Sequence, residues 1–428
     1  MGIYLNPRAV RFSETMASEV FVDKTEMILW MNTIISTERK YICVSRPRRF
    51  GKTIAANMLC AYYGKSEGAE LFKKCKISKY EGWDRYLECF DVLRLVMTDF
   101  FGRRVGVTEG LADLQQSVLR ELKREYPDVS YSRPDDLIRS LRDIYAEKNS
   151  RFVIVIDEWD SIFRERPEDK EGQKVYLDFL RDWLKDKEYI ALAYMTGILP
   201  IKKYGRHSAL NMFAEYSMTR PMQMAEYTGF TSAEVDVLCT QFGRNYDVMK
   251  EWYDGYLLSN VVPPDPEHKI QKETGEELKP EVYSIYSPLS VVNAVSTGII
   301  GNYWNQTETY EALAEHINKN FGGLKEIVAI LMDGGRVKVN ITKYQNDMTT
   351  FESRDDVLTL LIHLGYLGYD SDTGEAFIPN KEILDEFKNS TEDDSAWLET
   401  FGSFKTSLKK EYLKTANMNK VIKAIEKM

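Results

Sequence analysis

The chain has 428 residues, of which 43% are hydrophobic and 29% charged. That balance excludes a wholly disordered or fibrous protein and allows two or three domains with cores of their own. Lys and Arg total 57 against 66 Asp and Glu, a net charge of -9, so general polyanion binding is disfavoured and any nucleic-acid contact needs a local basic patch.

In chain order, residues 41–44 form a short apolar run that predicts a strand. Residues 52–63 follow as a helix, with Ile54, Met58, Leu59 and Tyr62 at helical spacing. Residues 92–97 predict a second strand. Val107, Leu111, Leu114, Val118 and Leu122 mark a long helix, and Leu137, Leu141 and Ile144 another. Residues 152–156 (FVIVI) are β-branched and uncharged, which predicts a strand covered on both faces. A helix over 176–187 and a buried strand over 190–195 complete a pattern of alternating strands and helices. The expected fold class is therefore α/β, a parallel sheet sandwiched by helices, occupying a first domain over 1–228.

From residue 229 the texture changes. Thr231 and Glu234 have capping-box spacing and open a helix. A mostly helical domain is expected over 229–340, with a mobile polar loop at 263–280. Over 341–428, a helix at 355–364, a turn-rich hairpin and a helix from Lys381 outline a winged-helix-like module, followed by a lysine-rich helical tail. Residues 282–307 carry no charge, but Pro288, Gly298 and Gly301 read as buried soluble structure and not a membrane span. The odd set of five cysteines contains no C-x-x-C pair, so no disulfide framework is expected. The histidines are scattered and a zinc site is not expected. No signal peptide is expected at the N-terminus, and a reducing cytoplasm is the expected compartment.

The sharpest feature is Ser45-Arg46-Pro47-Arg48-Arg49-Phe50-Gly51-Lys52-Thr53. It lies between a strand and a helix and ends as a P-loop does, although Arg46 stands where the first glycine belongs. Backbone N–H groups at a helix N-terminus attract phosphate oxygens. Arg48, Arg49, Phe50, Gly51, Lys52 and Thr53 are thus the expected nucleotide-binding residues. Lys52 would reach the β- and γ-phosphates, and the Thr53 hydroxyl would ligate Mg²⁺. Without the first glycine the entry turn needs another support, and Pro47 is one.

The FVIVI strand delivers Asp157 and Glu158, the pattern of a Walker B motif. Asp157 would hold Mg²⁺ and Glu158 would polarise the attacking water. A glutamate there favours ATP hydrolysis over kinase chemistry. GTP is disfavoured, because no N-K-x-D base reader exists; Asn380-Lys381-Glu382 lies in the tail. Thr196, at the end of the 190–195 strand, is the expected contact to the γ-phosphate, with a strand-capping threonine as the plainer alternative. Asp160 is either a second line of support for the site or a helix cap.

These residues, with Val22-Asp23-Lys24-Thr25, Gly229-Phe230-Thr231, Trp252-Tyr253-Asp254-Gly255-Tyr256, Tyr303-Trp304 and Ile378-Pro379-Asn380-Lys381-Glu382, resemble the bacterial AAA-ATPase-like family. That family has R-P-R-R-F-G-K-S/T where other P-loops have glycine, so Arg46 departs from the general motif only. The resemblance implies an ATP-binding, Mg²⁺-dependent ATPase in a regulatory or mechanical role. Members often carry a C-terminal PD-(D/E)XK nuclease, which is not expected here; Glu277-Leu278-Lys279 has the local spacing but lies in the polar loop. Val22–Thr25 is a candidate neighbour of the adenine. The aromatic motifs read as core packing. Arg206 and Arg220 are candidate arginine fingers, and a finger in trans would imply self-association. The competing reading is a nucleotide-dependent scaffold with little turnover, whose C-terminal module contacts nucleic acid or a partner protein through lysines such as Lys405, Lys409 and Lys410.

Overall fold

The computed structural model describes residues 2–102, 105–201, 209–260, 281–304, 323–342, 344, 351 and 353–392. Arg206, the 263–280 loop with Glu277–Lys279, and the lysine-rich tail lie outside the described residues.

Two short helices, α1 (Val10–Met16) and α2 (Met27–Ile34), precede strand β1 (Tyr41–Ser45) and helix α3 (Lys52–Tyr63). After α4 (Ala69–Phe72) come β2 (Asp91–Val96), α5 (Val107–Glu125), α6 (Leu137–Lys148), β3 (Phe152–Asp157), α7 (Ser161–Glu165), α8 (Lys170–Leu184), β4 (Ile190–Gly197) and β5 (Ala214–Tyr216). The five strands form one sheet in the order β2-β3-β4-β1-β5, with every pair parallel. β4 therefore lies between the strand that enters the phosphate loop and the strand that ends at Asp157.

Alternation along the strands divides two cores. Cys43, Leu93, Ile154 and Met195 face one layer with α5, α6 and α8; Ile42, Val92, Val155 and Tyr194 face the other with α2 and α3. Both faces are covered, which is why these strands read as continuous apolar runs. Helix starts follow local chemistry. The Asp136 side chain accepts the Arg139 N–H at the head of α6, and Asp169 accepts that of Gly172 at the head of α8. The Asp169 cap starts α8 ahead of the expected 176, and an extended Lys185 ends it before 187.

The second half begins with β6 (Phe230–Thr231), α9 (Ser232–Phe242), α10 (Tyr246–Tyr253), β7 (Tyr256–Ser259), β8 (Val282–Tyr286) and α11 (Pro288–Thr297). Thr231 and Glu234 make the expected capping box, with Glu234 N–H to Thr231 Oγ1 at 3.3 Å and Thr231 N–H to Glu234 Oε2 at 2.8 Å. The helical region also contains an antiparallel sheet, β6-β8-β7, which the sequence reading did not include. The uncharged stretch from 282 is divided between β8 and α11. Among the described residues, no helix is long and apolar enough to cross a membrane.

Next come α12 (Leu324–Met332), β9 (Val337–Lys338), α13 (Arg354–Leu364), β10 (Gly368–Asp370), β11 (Glu375–Phe377) and α14 (Lys381–Glu392). Helix, hairpin and helix appear in the expected order, and β9 adds a third strand beside β11. Asn380 Oδ1 accepts the Ile383 N–H at 3.0 Å, so Asn380 serves as a helix cap.

Candidate functional site

β1 is buried throughout and delivers the chain to the loop at Arg46–Gly51. Arg49 (φ 68°) and Gly51 (φ 84°) both adopt left-handed backbone. Alternating backbone handedness turns successive N–H groups into one concavity suited to an anion. Nothing lies within 4 Å of where a Gly51 Cβ would be, so the backbone angle, not space, calls for glycine there.

Arg46 explains how the loop does without its first glycine. The side chain is wholly buried and points away from the phosphate side. Its Nη1 donates to the carbonyls of Ser45 (2.9 Å) and Tyr216 (2.8 Å), and its Nη2 to that of Met224 (3.1 Å). The guanidinium thus fastens the loop entrance to β5 and the turn beyond it. Burial pushes its pKa down to about 9.

Loop and acidic strand end share one cavity of about 820 Å³, within the usual range for ligand pockets. Arg48 through Thr53 form one wall, and Asp157, Glu158 and Asp160 another. Lys52 donates to the carbonyls of Arg46 (2.9 Å) and Pro47 (2.7 Å). Burial lowers its pKa to about 8, a shift that Asp157 opposes. Asp157 is almost fully buried, and its Oδ1 accepts the Glu158 N–H at 3.1 Å and the Thr196 hydroxyl.

Thr196 is wholly buried and meets Asp157; the cavity wall at the end of β4 is formed by Gly197 and Ile198. Asp160 does not cap α7 through its side chain. Its Oδ2 instead accepts the N–H groups of Ile198 (2.9 Å) and Leu199 (2.8 Å), holding the exit of β4. Arg220 is exposed and is not on the cavity wall.

The cavity is also lined by the apolar side chains of Phe12, Phe21, Val22, Phe230 and Leu289. Val22 and Lys24 also line the cavity. Lys24 Nζ donates to Glu226 O (2.5 Å) and pairs with Glu234 (2.6 Å), while Asp23 and Thr25 are taken up by bonds to each other and to the Lys76 and Ile77 N–H groups. Thr98 and Arg164 also line the cavity and were not anticipated. Arg164 lies four residues after Asp160, so its pairing was detectable as an i,i+4 acid–base spacing on a helix.

The aromatic motifs gather behind the loop. The rings of Phe50 and Tyr256 meet edge-on at 5.2 Å, and Tyr256 Oη donates to Gly365 O at 2.7 Å. Gly229 N–H donates to Phe50 O at 2.9 Å. Gly255 has φ 116°, and a Cβ there would sit 2.1 Å from Pro379 O, which joins W-Y-D-G-Y to I-P-N-K-E. Glu382 Oε1 accepts the N–H groups of Tyr303 (2.7 Å) and Trp304 (3.1 Å), and its Oε2 the Ser290 hydroxyl (2.8 Å).

Residues 11–205 match the AAA-ATPase-like family model, described as "Predicted AAA-ATPase". A curated relative, the "Uncharacterized protein in vnfD 5'region" of Azotobacter chroococcum mcd 1, is 24% identical over 287 residues, 64% of this chain. The chain spans 52% of the length of that relative. Among solved structures, that of Cdc6p from Pyrobaculum aerophilum is similar at 9% identity and a TM-score of 0.28, over 86% of this chain and 92% of that one. The resemblance read from the motifs is matched where the phosphate loop and the acidic strand lie: residues 11–205, which include both, match the AAA-ATPase-like family model.

Proposed function

We propose that this protein binds ATP with Mg²⁺ and hydrolyses it, coupling the reaction to a regulatory or mechanical task. The observation that carries this reading is that the Arg48–Thr53 loop and the Asp157–Glu158 pair wall a single cavity. The triphosphate would lie along the loop N–H groups, with the base against the apolar side chains. Lys52 would leave the Arg46 and Pro47 carbonyls for the phosphates and stabilise charge on the γ-phosphoryl group.

The donor set suits Mg²⁺. Among the described residues no group of three or more His, Cys, Asp or Glu could hold a metal ion, so those residues offer no complete cage. Mg²⁺ is ordinarily held by one or two carboxylates together with phosphate and water oxygens. Asp157 and the Thr53 hydroxyl supply such a partial set on the cavity wall. The bound ion would neutralise charge on the β- and γ-phosphates. Glu158 would orient and polarise the attacking water, and Thr196 would steady Asp157. The division into units 1–228, 229–340 and 341–428 is part of the proposal. The contact of Tyr256 with Phe50 favours a second half that responds to the state of the loop.

The test is binding of ATP and GTP to the purified chain with and without Mg²⁺, followed by single-turnover hydrolysis. Tight ATP binding and a slow Glu158→Gln variant are expected. No ATP binding would overturn the reading, and equal rates would remove Glu158 from the mechanism.

A further inference from the structure

The acidic end of the cavity holds a basic side chain that the scheme above leaves unused. Arg164 belongs to the one-turn helix α7, and its side chain is only 9% exposed. Its Nη2 lies 3.1 Å from Glu158 Oε2, and its Nε lies 3.3 Å from Asp160 Oδ2. That same Asp160 oxygen receives the Ile198 and Leu199 N–H groups, which directly follow Thr196 and Gly197. A single guanidinium therefore links Glu158 to the carboxylate that holds the exit of β4.

Glu158 needs a hold of this kind. Its backbone is left-handed, with φ 54°, a conformation kept in non-glycine residues only where the surroundings impose it. Its side chain is 40% exposed, so little packing restrains it. Burial alone would weaken the Arg164 charge, but Asp160 and then Glu158 outweigh burial and hold the pKa above its ordinary value. The planar guanidinium thus donates to Glu158 through Nη2 while its charge pairs with Asp160, a fixed geometry that a flexible lysine ammonium does not reproduce.

We propose that Arg164 is a positioning residue for Glu158: anchored on Asp160, it fixes the Glu158 carboxylate relative to the end of β4 and so aims it at the water beside the γ-phosphate. The inference rests on the reading that the cavity takes a nucleoside triphosphate.

Arg164→Lys tests it, because lysine keeps a cation beside the buried Asp160 but lacks the fork. The single-turnover rate should fall by about tenfold to a hundredfold, less than the roughly 10²–10⁴ that a general base itself contributes, because Glu158 remains and only its aim is lost. Affinity for a fluorescent ATP analogue should stay within about threefold, since the lost interaction acts in the reaction and not in binding. In a Glu158→Gln background the same change should cost nothing further, because residues acting as one unit are not additive. A fully additive loss, or an unchanged rate, would overturn the proposal. Melting temperatures of the nucleotide-free wild type, the two single variants and the double variant give a readout independent of activity. They should also be non-additive, and additive shifts would overturn the coupling. If the wild type fails to bind the analogue, the nucleotide reading falls and the aim at water falls with it, while the melting cycle still reports on the link between Arg164 and Glu158.

Discussion

The phosphate loop has two sides built by opposite rules. Toward the cavity it presents left-handed backbone at Arg49 and Gly51, a partly exposed glutamate opposite, and a lysine parked on carbonyls. Toward the second half of the chain it presents Phe50, which is wholly buried, closed over by Tyr256 and tied to Gly229. The front faces a cavity, with Lys52 on backbone carbonyls and Glu158 partly exposed. The rear is finished, with its apolar surface covered and its Phe50 carbonyl satisfied. A loop held rigidly from behind can keep its N–H groups pre-aimed in front, which is where electrostatic stabilisation gains its strength.

That contrast can be broken at either side. Phe50→Ala should cost about 3–5 kcal/mol of stability, the usual loss for truncating a buried phenylalanine. Denaturant unfolding measures it, and a loss below about 1 kcal/mol would mean that the rear contact is not a structural support. Lys52→Met should behave in the opposite way. Hydrolysis should fall by about 10²–10³, the cost of losing one preorganised stabilising group. Stability without nucleotide should hold or rise, because the removed ammonium is buried with only carbonyls as hydrogen-bond partners.

Glu382 sharpens the comparison from the far side of the rear. Burial pushes its carboxyl up to about 7, although the Tyr303 N–H, the Ser290 hydroxyl and the Trp304 N–H pull it down. In the unfolded chain the same group titrates near 4.5. Between these values the folded chain binds more protons, so the stability from this group is full below pH 4.5 and is lost as pH rises through about 7. At roughly 1.36 kcal/mol per pH unit the window amounts to at most about 3.4 kcal/mol. Glu382→Gln should therefore gain on the wild type as pH rises from about 5 to 8, in paired unfolding curves. A difference between the two that ignores pH would show that Glu382 does not titrate there.

How far the molecule was legible follows the same division. The order of strands and helices up to β4 could be read because apolar runs and helical periodicity are local signals. The loop and the acidic pair could be read because their chemistry demands fixed spacings. The rear could not. Trp252–Tyr256, Tyr303-Trp304 and Glu382 were visible as motifs, but their meaning depends on which distant backbone they touch: Pro379 against Gly255, or Tyr303 and Trp304 on Glu382. The sheet β6-β8-β7 was missed for a related reason, since its strands are short and separated by helices and by residues 261–280. Arg46 was recognised as a departure from the P-loop, yet its role lies in carbonyls contributed by Tyr216 and Met224, which spacing does not reveal.

Thr196 gives the smallest effect and the finest discrimination. The strand end is expected to touch the γ-phosphate, and the Thr196 hydroxyl donates to Asp157 Oδ1 from a wholly buried position. A group of that kind orients a metal-binding carboxylate, and removing one usually weakens metal affinity about 10–100-fold. Thr196→Val keeps the shape and removes the hydroxyl. The Mg²⁺ concentration needed for half-maximal hydrolysis should rise by about tenfold, with affinity for ATP in the absence of Mg²⁺ unchanged. If the Mg²⁺ dependence stays put while the rate at saturating Mg²⁺ drops, Thr196 acts on the phosphate directly, and the loop front has a second sensing group that moves into the cavity when nucleotide binds.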